Sequence, residues 1–460
     1  MKYLIQDVTA IVQEPTLHVE THTDVLLSGA RIEKIAPGIV DAEAEIISGK
    51  DMICLPGFVD AHRHNFEALI RQTGIDWNHA QYFEGVKKTM GNCFTPEDTY
   101  VSSYIGALEC LNAGITTVYD WFHNNNSPEH ADAAIAGLAD AGIRAVFGCS
   151  DDAEGEIPVS DKPMNYDDMR RIAKQYFQSR DQRMTLSLAS RGPQFVTMPQ
   201  VLEELALAKE LDVFVSMHVG DGAWGKSYPV KKLHELGQLN ENFLFVHCNT
   251  LHQEEYDIIG QLGAKYVFCP EVELNMGHGF PAALPLMKRG VRPALGIDVV
   301  TSIPGDMFAS MRAAMVGIRA SVNQQALHDG VEVDPLPVLA SDVLNFATIN
   351  GANACGLGGV TGSLKAGMKA DIMLINTNSL NLLPYNNPVS AVVEAAHIGN
   401  VDTVIVDGEI KKRHGQLTGL DMRAVCRQAN QARDRLFARA GVPTDGTWVP
   451  DVLYQSVSEA

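Results

Sequence analysis

Five side chains in this 460-residue sequence have the types and the placement to hold a metal ion. His62 and His64 stand two apart in Gly57-Phe58-Val59-Asp60-Ala61-His62-Arg63-His64, directly after an apolar run. On an extended segment a period of two puts both imidazoles on one face, where they can converge on one ion. An isolated HxH pair says little, because surface and core histidines account for most such pairs. Three later apolar runs end in the same way, however: Phe214-Val215-Ser216-Met217 on His218, Leu244-Phe245-Val246 on His247, and Ala294-Leu295-Gly296-Ile297 on Asp298. A buried aspartate needs a partner or a cation, and clustered histidines without one repel on protonation. The set therefore reads as a divalent metal centre with mixed nitrogen and oxygen ligation. Such an ion lowers the pKa of a bound water to about 7, which supplies a nucleophile at neutral pH. Asp298 can take the water proton, and His247 can steady developing negative charge or orient the attacking oxygen.

The elements that carry these residues must bring them to one place. From Ile53 onward, short apolar runs at 53–59, 116–121, 143–148, 184–190, 213–219, 243–248, 265–269 and 291–297 alternate with amphipathic helical segments such as 199–210. Buried parallel strands read as near-continuous apolar runs, and alternation with helices marks βαβ units. Eight such units in about 250 residues match a closed α/β barrel of the (β/α)8 type, whose C-terminal strand ends share one mouth. A doubly wound open sheet is the competing topology on strand count alone. Residues 1–55 and 361–420 have a strand-and-turn texture and are expected to form one small β-sandwich domain. Residues 56–360 form the barrel, and 421–460 a C-terminal helical extension that begins with a helix near 420–440. No internal repeat or low-complexity linker interrupts this plan.

Composition sets outer bounds. Apolar residues make up 46% and charged residues 20%, ordinary for a globular protein. A net charge of −20 argues against nucleic acid or an anionic membrane as a partner. The N-terminus has no apolar core of signal-peptide length, and no stretch nears the roughly 20 apolar residues of a membrane span. The cysteines at 54, 93, 110, 149, 248, 269, 355 and 426 show no CxxC pairing, which fits a reducing cytoplasm. The H-x-E with C-x-x-C signature of the zinc nucleic-acid deaminases is absent.

The motifs LPGFVDAHRH at 55–64, SMHVGD at 216–221, FVHCNTLHQEE at 245–255, ALGID at 294–298, GSLKAGMKADIMLI at 362–375 and VDTVIVDGE at 401–409 together resemble the amidohydrolase superfamily. The resembling branch holds cytosine and guanine deaminases and triazine hydrolases. It implies a (β/α)8 barrel plus a β-sandwich built from both termini, and a homodimer or larger assembly. It also implies that His62, His64, His218 and Asp298 ligate a single divalent metal, while His247 lies over the metal and contacts water or substrate. The fourth run ends in Ser190-Arg191-Gly192-Pro193, without the carbamylated lysine of two-metal members. One ion is therefore expected: Zn²⁺ first, with Fe²⁺ or Mn²⁺ also fitting the donor set.

Three departures from the branch concern the substrate side. Asp221 stands where the deaminases have a glutamate that delivers a proton to a ring nitrogen; it is either a repositioned acid or a solvated loop carboxylate. Thr250 stands where a second histidine is common, and His252 lies at the wrong offset to replace it. In Cys269-Pro270-Glu271-Val272-Glu273-Leu274-Asn275-Met276-Gly277-His278-Gly279, Glu273 replaces an asparagine beside the substrate and His278 a small residue. Glu273 can hold a ring N–H or a cationic group, or it can orient a histidine of the site. Trp77 and His123 are further candidates for substrate contact, against core packing in the case of Trp77. Arg191 can grip a carboxylate or carbonyl of the substrate, against a structural ion pair. The acidic run from Asp151 to Glu156 reads as a solvated loop.

The expected function is hydrolytic displacement at a carbon of a small nitrogen heterocycle, with an amino group as the default leaving group. Chloride or hydrosulfide release, or opening of a cyclic amide, are the alternatives; chloride and hydrosulfide need less proton delivery than ammonia does. A non-catalytic scaffold relative is the rival of another class. The complete ligand set speaks against it, and metal content decides it.

Overall fold

The computed structural model describes residues 1–151 and 159–450, the side chain of Trp224 excepted. Its strands are, in chain order, β1 (Lys2–Val12), β2 (His18–Ser28), β3 (Arg31–Ala36), β4 (Glu45–Ser48), β5 (Met52–Pro56), β6 (Phe58–Arg63), β7 (Ile115–Phe122), β8 (Arg144–Cys149) and β9 (Met184–Ser190). They continue with β10 (Phe214–Val219), β11 (Phe243–His247), β12 (Lys265–Phe268), β13 (Pro293–Leu295), β14 (Ile372–Asn376), β15 (Val401–Val406), β16 (Glu409–Arg413) and β17 (Gln416–Leu417).

Strands β6 to β13 pair in sequence order, each parallel to the next. This order and the helices between strands settle the topology in favour of the barrel over the open sheet. The ring closes just past β13, where Arg63 and Asp298 form a parallel bridge. Asp298 N donates to His62 O at 2.8 Å, and His64 N donates to Asp298 O at 2.9 Å. The barrel is thus stitched shut by the backbone of three expected metal ligands. Gly296 permits the close approach, because a Cβ there would meet His62 O at 2.8 Å. Val59, Ala61, Tyr119, Val146, Ala189, Leu244, Val246, Val267 and Ala294 fill the interior, so the barrel is a packed core rather than a pore.

The first apolar run, 53–59, is two strands and not one. β5 ends at Pro56 in the terminal sheet and β6 begins at Phe58 in the barrel. Gly57 makes the turn-off against Thr116, whose side chain would lie 2.1 Å from any Cβ at that position. The chain ends build a mixed nine-stranded sheet in the order β17-β16-β15-β14-β5-β1-β2-β3, with β4 paired to β1. Both faces of its central strands are apolar. Cys54, Ile372, Leu374 and Ile405 turn to the sheet's own core. Ile53, Leu55, Met373, Ile375, Val404 and Val406 turn to the large core that wraps the barrel. This double burial explains why β5, β14 and β15 read as continuous hydrophobic runs instead of alternating ones. The helix expected near 420–440 spans Met422–Ala440.

A buried ion pair ties the two parts together. Arg144 of β8 donates through Nε to Asp371 Oδ2 at 2.6 Å and through Nη2 to Asp371 Oδ1 at 3.2 Å. The same Nη2 reaches Asp407 Oδ1 at 3.0 Å. Removing one partner leaves a guanidinium buried beside the other's vacancy, so Asp371→Ala is expected to cost about 3–5 kcal/mol. The urea midpoint of the variant checks this; a loss under about 1 kcal/mol would show that water replaces the carboxylate.

Candidate metal centre

The five expected residues meet in the barrel mouth. His218 Nε2 lies 3.2 Å from His62 Nε2. Asp298 Oδ1 lies 3.4 Å from His62 Nε2 and 3.3 Å from His64 Nε2, and Asp298 Oδ2 lies 3.6 Å from His247 Nε2. A tetrahedral ion with bonds of about 2.0–2.1 Å has ligand edges of about 3.3 Å, so these separations suit one ion. His62, His64 and His218 form one converging group, and His62, His247 and Asp298 a second.

Protonation separates the ligands from His247. Burial depresses His62 to about 3, despite the Asp298 bond and charge that pull it up. Burial likewise holds His64 low and His218 well below the ordinary imidazole value. Burial works against the Asp298 carboxylate, but the His62 and His64 bonds and the His247 charge outweigh it and hold its pKa well down. Neutral imidazoles and an ionised carboxylate are the states a metal requires. Burial opposes charge on His247 as well, yet the Glu273 bond and the charges of Asp298, Glu273 and Asp221 push it up to about 9. His247 is thereby suited to face developing negative charge.

Local backbone and neighbouring groups aim these side chains. His247 and Asp298 have φ of 72° and 71°, in the left-handed region that non-glycine residues avoid. His64 Nδ1 pairs with Trp121 O at 3.1 Å, and the Trp121 ring centroid lies 4.0 Å from that of His218. Glu273 is fully buried behind His247: its Oε1 pairs with His247 Nδ1 at 3.0 Å and accepts from Cys269 N at 2.9 Å. It serves the histidine rather than the cavity, which corrects the substrate-contact role expected for it. The physical reason is that both its oxygens are already engaged, Oε2 by Asn249 Nδ2 at 2.9 Å.

A narrow cleft opens above the centre. Tyr82, Phe83, Trp121 and Phe195 give it aromatic walls, and His79, His123, Arg191, Asp221 and His278 its polar ones. Asp221 is 3% exposed, with Oδ1 accepting from Gln194 Nε2 at 2.6 Å, so it is not a solvated loop carboxylate. The His123 ring lies 4.4 Å from that of His64, tilted by 58°. Neither nitrogen of His278 has a partner among the described residues, nor does His123 Nε2. Arg191 makes the expected structural ion pair, Nε to buried Glu204 at 2.6 Å, while its Nη2 has no hydrogen-bond partner among the described residues.

Trp77 is a correction. It is buried in the outer core, edge-on to Trp448 at 5.4 Å, and does not line the cavity. His79, two residues on, does, and so do Tyr82 and Lys87; sequence reasoning missed these three. The signal available was a histidine in the same excursion after the HxH strand. His252 stacks on Tyr228 at 3.8 Å, away from the cavity. Of the acidic run, 152–156 lies outside the described residues.

A parallel barrel with converging histidines and a carboxylate at its strand ends defines a metal-dependent hydrolase. Residues 53–411 match the Amidohydrolase family, and the chain belongs to it. A 5-methylthioadenosine/S-adenosylhomocysteine deaminase of Acetivibrio thermocellus is 29% identical over 390 residues, 82% of this chain and 85% of its own. An adenosine deaminase from Xanthomonas campestris with bound zinc superposes with a TM-score of 0.81 at 25% identity, covering 95% of this chain and 98% of its own. The atrazine chlorohydrolase of Arthrobacter aurescens TC1, complexed with zinc, shares the fold with a TM-score of 0.80 at 20% identity, covering 94% of this chain and 100% of its own. Among the described residues no helix is long and apolar enough to cross a membrane.

Elemental analysis of protein purified without added metal is expected to find about one equivalent of a divalent ion, lost in His218→Ala. Two equivalents would show a second site at the end of β9, and none after reconstitution would remove the hydrolase assignment.

Proposed function

We propose that this enzyme hydrolyses the bond between a ring carbon and an exocyclic amino group of a small nitrogen heterocycle, releasing ammonia. The observation that carries this is Asp221, a buried carboxylate that is clamped on one oxygen and lines the same cleft as His64, His218 and Asp298. Ammonia is a poor leaving group and must depart protonated, so a positioned acid is what this reaction needs beyond an activated water. The deaminase relatives support the same choice.

His62, His64, His218 and Asp298 would hold a divalent ion, taken as zinc, which would supply a water activated at neutral pH. Asp298 receives the first water proton, and His247 faces the charge that builds on the substrate. A flat ring fits between Tyr82, Phe83, Trp121 and Phe195, where His123 and the unpartnered Nη2 of Arg191 can hold a carbonyl or carboxylate substituent. Eight free cysteines, six of them buried, support a reducing cytoplasm as the compartment. A homo-oligomer is taken as the working form on the family resemblance.

Chloride release is the second choice, favoured by the fold shared with a chlorohydrolase and by the shortened acid. Assaying zinc-loaded enzyme on amino- and chloro-substituted purines, pyrimidines and triazines separates the two. Ammonia release is expected to fall about 10²–10⁴-fold in Asp221→Asn with metal content unchanged. Chloride release without ammonia from any aminated ring would transfer the assignment to dehalogenation.

A further inference from the structure

Asp221 is one methylene shorter than the acid this branch of hydrolases uses, and Thr250 occupies the place of a second histidine. Neither can be repaired by a small shift. The Thr250 hydroxyl is committed to the carbonyls of Gly220, at 2.9 Å, and Gly222. Asp221 Oδ1 is held by Gln194 Nε2 at 2.6 Å, and Gln194 Oε1 in turn accepts from Gly220 N. On the Oδ2 side stands His79, with Nε2 at 3.6 Å.

His79 is held by a capped helical turn. It opens the short helix His79–Tyr82, where Asn78 Oδ1 accepts from Gln81 N and Gln81 Oε1 accepts from Asn78 N, both at 3.0 Å. Its ring packs against those of Phe83, at 5.0 Å, and His278, at 4.4 Å. It lines the cavity with its side chain 19% exposed, whereas the Asp221 side chain is buried.

We infer that Asp221 and His79 act as one carboxylate–imidazole pair, with His79 Nε2 carrying to the departing amine the proton that Asp221 is too short to deliver. The inference rests on the deaminase assignment above. Water contributes two protons to the reaction. As its oxygen bonds to the ring carbon, the π pair of the ring C=N bond moves to the ring nitrogen, which takes the first proton. The bond from carbon to the amino group then breaks, and its electron pair leaves on nitrogen. The second proton, released as the new C–O bond becomes a carbonyl, passes to Asp221 and through His79 Nε2 to that nitrogen. Ammonia departs, and both side chains return to their starting states. Burial, with the charges of His247 and Lys87, lowers His79 to about 3 against the pull of Asp298, so a protonated His79 gives its proton up readily.

The probes are adenosine and 6-chloropurine riboside, which differ only in the leaving group, with zinc-loaded full-length protein. His79→Ala is expected to lower kcat for ammonia release about 10²-fold while chloride release, which needs no proton on the leaving atom, changes under about threefold. Adding Asp221→Glu in that background is expected to recover about tenfold, because the longer acid covers the gap. A structural role for His79 predicts equal losses on both probes and no recovery, which would overturn the pairing. An independent readout is the ¹⁵N titration of His79, assigned by its loss in His79→Ala. Its facing groups are Asp221, His278 and Lys87, with His247 and Asp298 behind. A midpoint that falls in Asp221→Asn supports the pair, and an unmoved midpoint overturns it. If wild type turns over neither probe, the failure falls on the choice of substrate, and the titration decides the pair.

Discussion

Keeping the Asp298 carboxylate ionised inside an apolar barrel mouth is the constraint from which the rest of the site follows. Isolated, a buried carboxylate would take up a proton and lose its use as a ligand. Here three imidazole nitrogens lie within 3.6 Å of its two oxygens. Its backbone, at φ 71°, is also the stitch that closes the barrel between β13 and β6. Three of the four expected ligands, His62, His64 and Asp298, thus also close the ring, so they cannot part without opening the barrel. A left-handed non-glycine residue costs about 1–3 kcal/mol, and His247 and Asp298 each adopt one where the chain must turn a side chain into the mouth.

Charge is managed in a second tier beneath the cage. Arg63, between the two histidines of the HxH, is fully buried and pairs with Glu109, with Asp60 Oδ2 at 3.8 Å. Asp60 Oδ1 accepts from Ile297 N at 2.9 Å, which ties the first barrel strand to the last directly below the ligands. Burial pushes Asp60 and Asp120 up to about 7, each against the pull of Arg63. Glu67 is pushed up to about 8 by burial, although Tyr82 and Thr301 donate to it. Beneath the cage, Asp60, Asp120 and Glu67 are thus drawn toward neutrality, whereas burial is outweighed at Asp298, which ligates, and at Glu109, which pairs with Arg63.

The parts legible in sequence are those set by strand ends. His62, His64, His218, His247 and Asp298 follow apolar runs whose direction and order a barrel dictates, so type and spacing were enough. The terminal sheet was legible too, though the run 53–59 concealed the passage from β5 to β6, since both strands are buried on both faces. What sequence could not resolve came from loops, where reach depends on a neighbour not adjacent in the chain. Glu273 turns inward because Cys269 N and Asn249 meet it, Trp77 turns outward because Trp448 receives it, and neither partner can be read from local pattern. His79 entered the cavity for a similar reason: Asn78 caps a four-residue helix too short to show a period.

This division has a mechanistic consequence. The groups that would hold the metal sit on β6 and β10 or within three residues of the ends of β6 and β13, where backbone bonds among His62, His64 and Asp298 fix them. The groups that handle protons and substrate, namely His79, Arg191, Asp221 and His278, all follow strands in loops or short helices. Strand positions are coupled through the closure of the ring, so a change in one disturbs the whole cage. Loop positions are coupled only to their local clamps, as Asp221 is to Gln194. A shortened acid and a lost histidine can then be offset by a residue from another loop without moving a ligand. In a barrel of this kind the metal chemistry is conserved by topology, while the choice of leaving group is free to vary with which loop brings the acid.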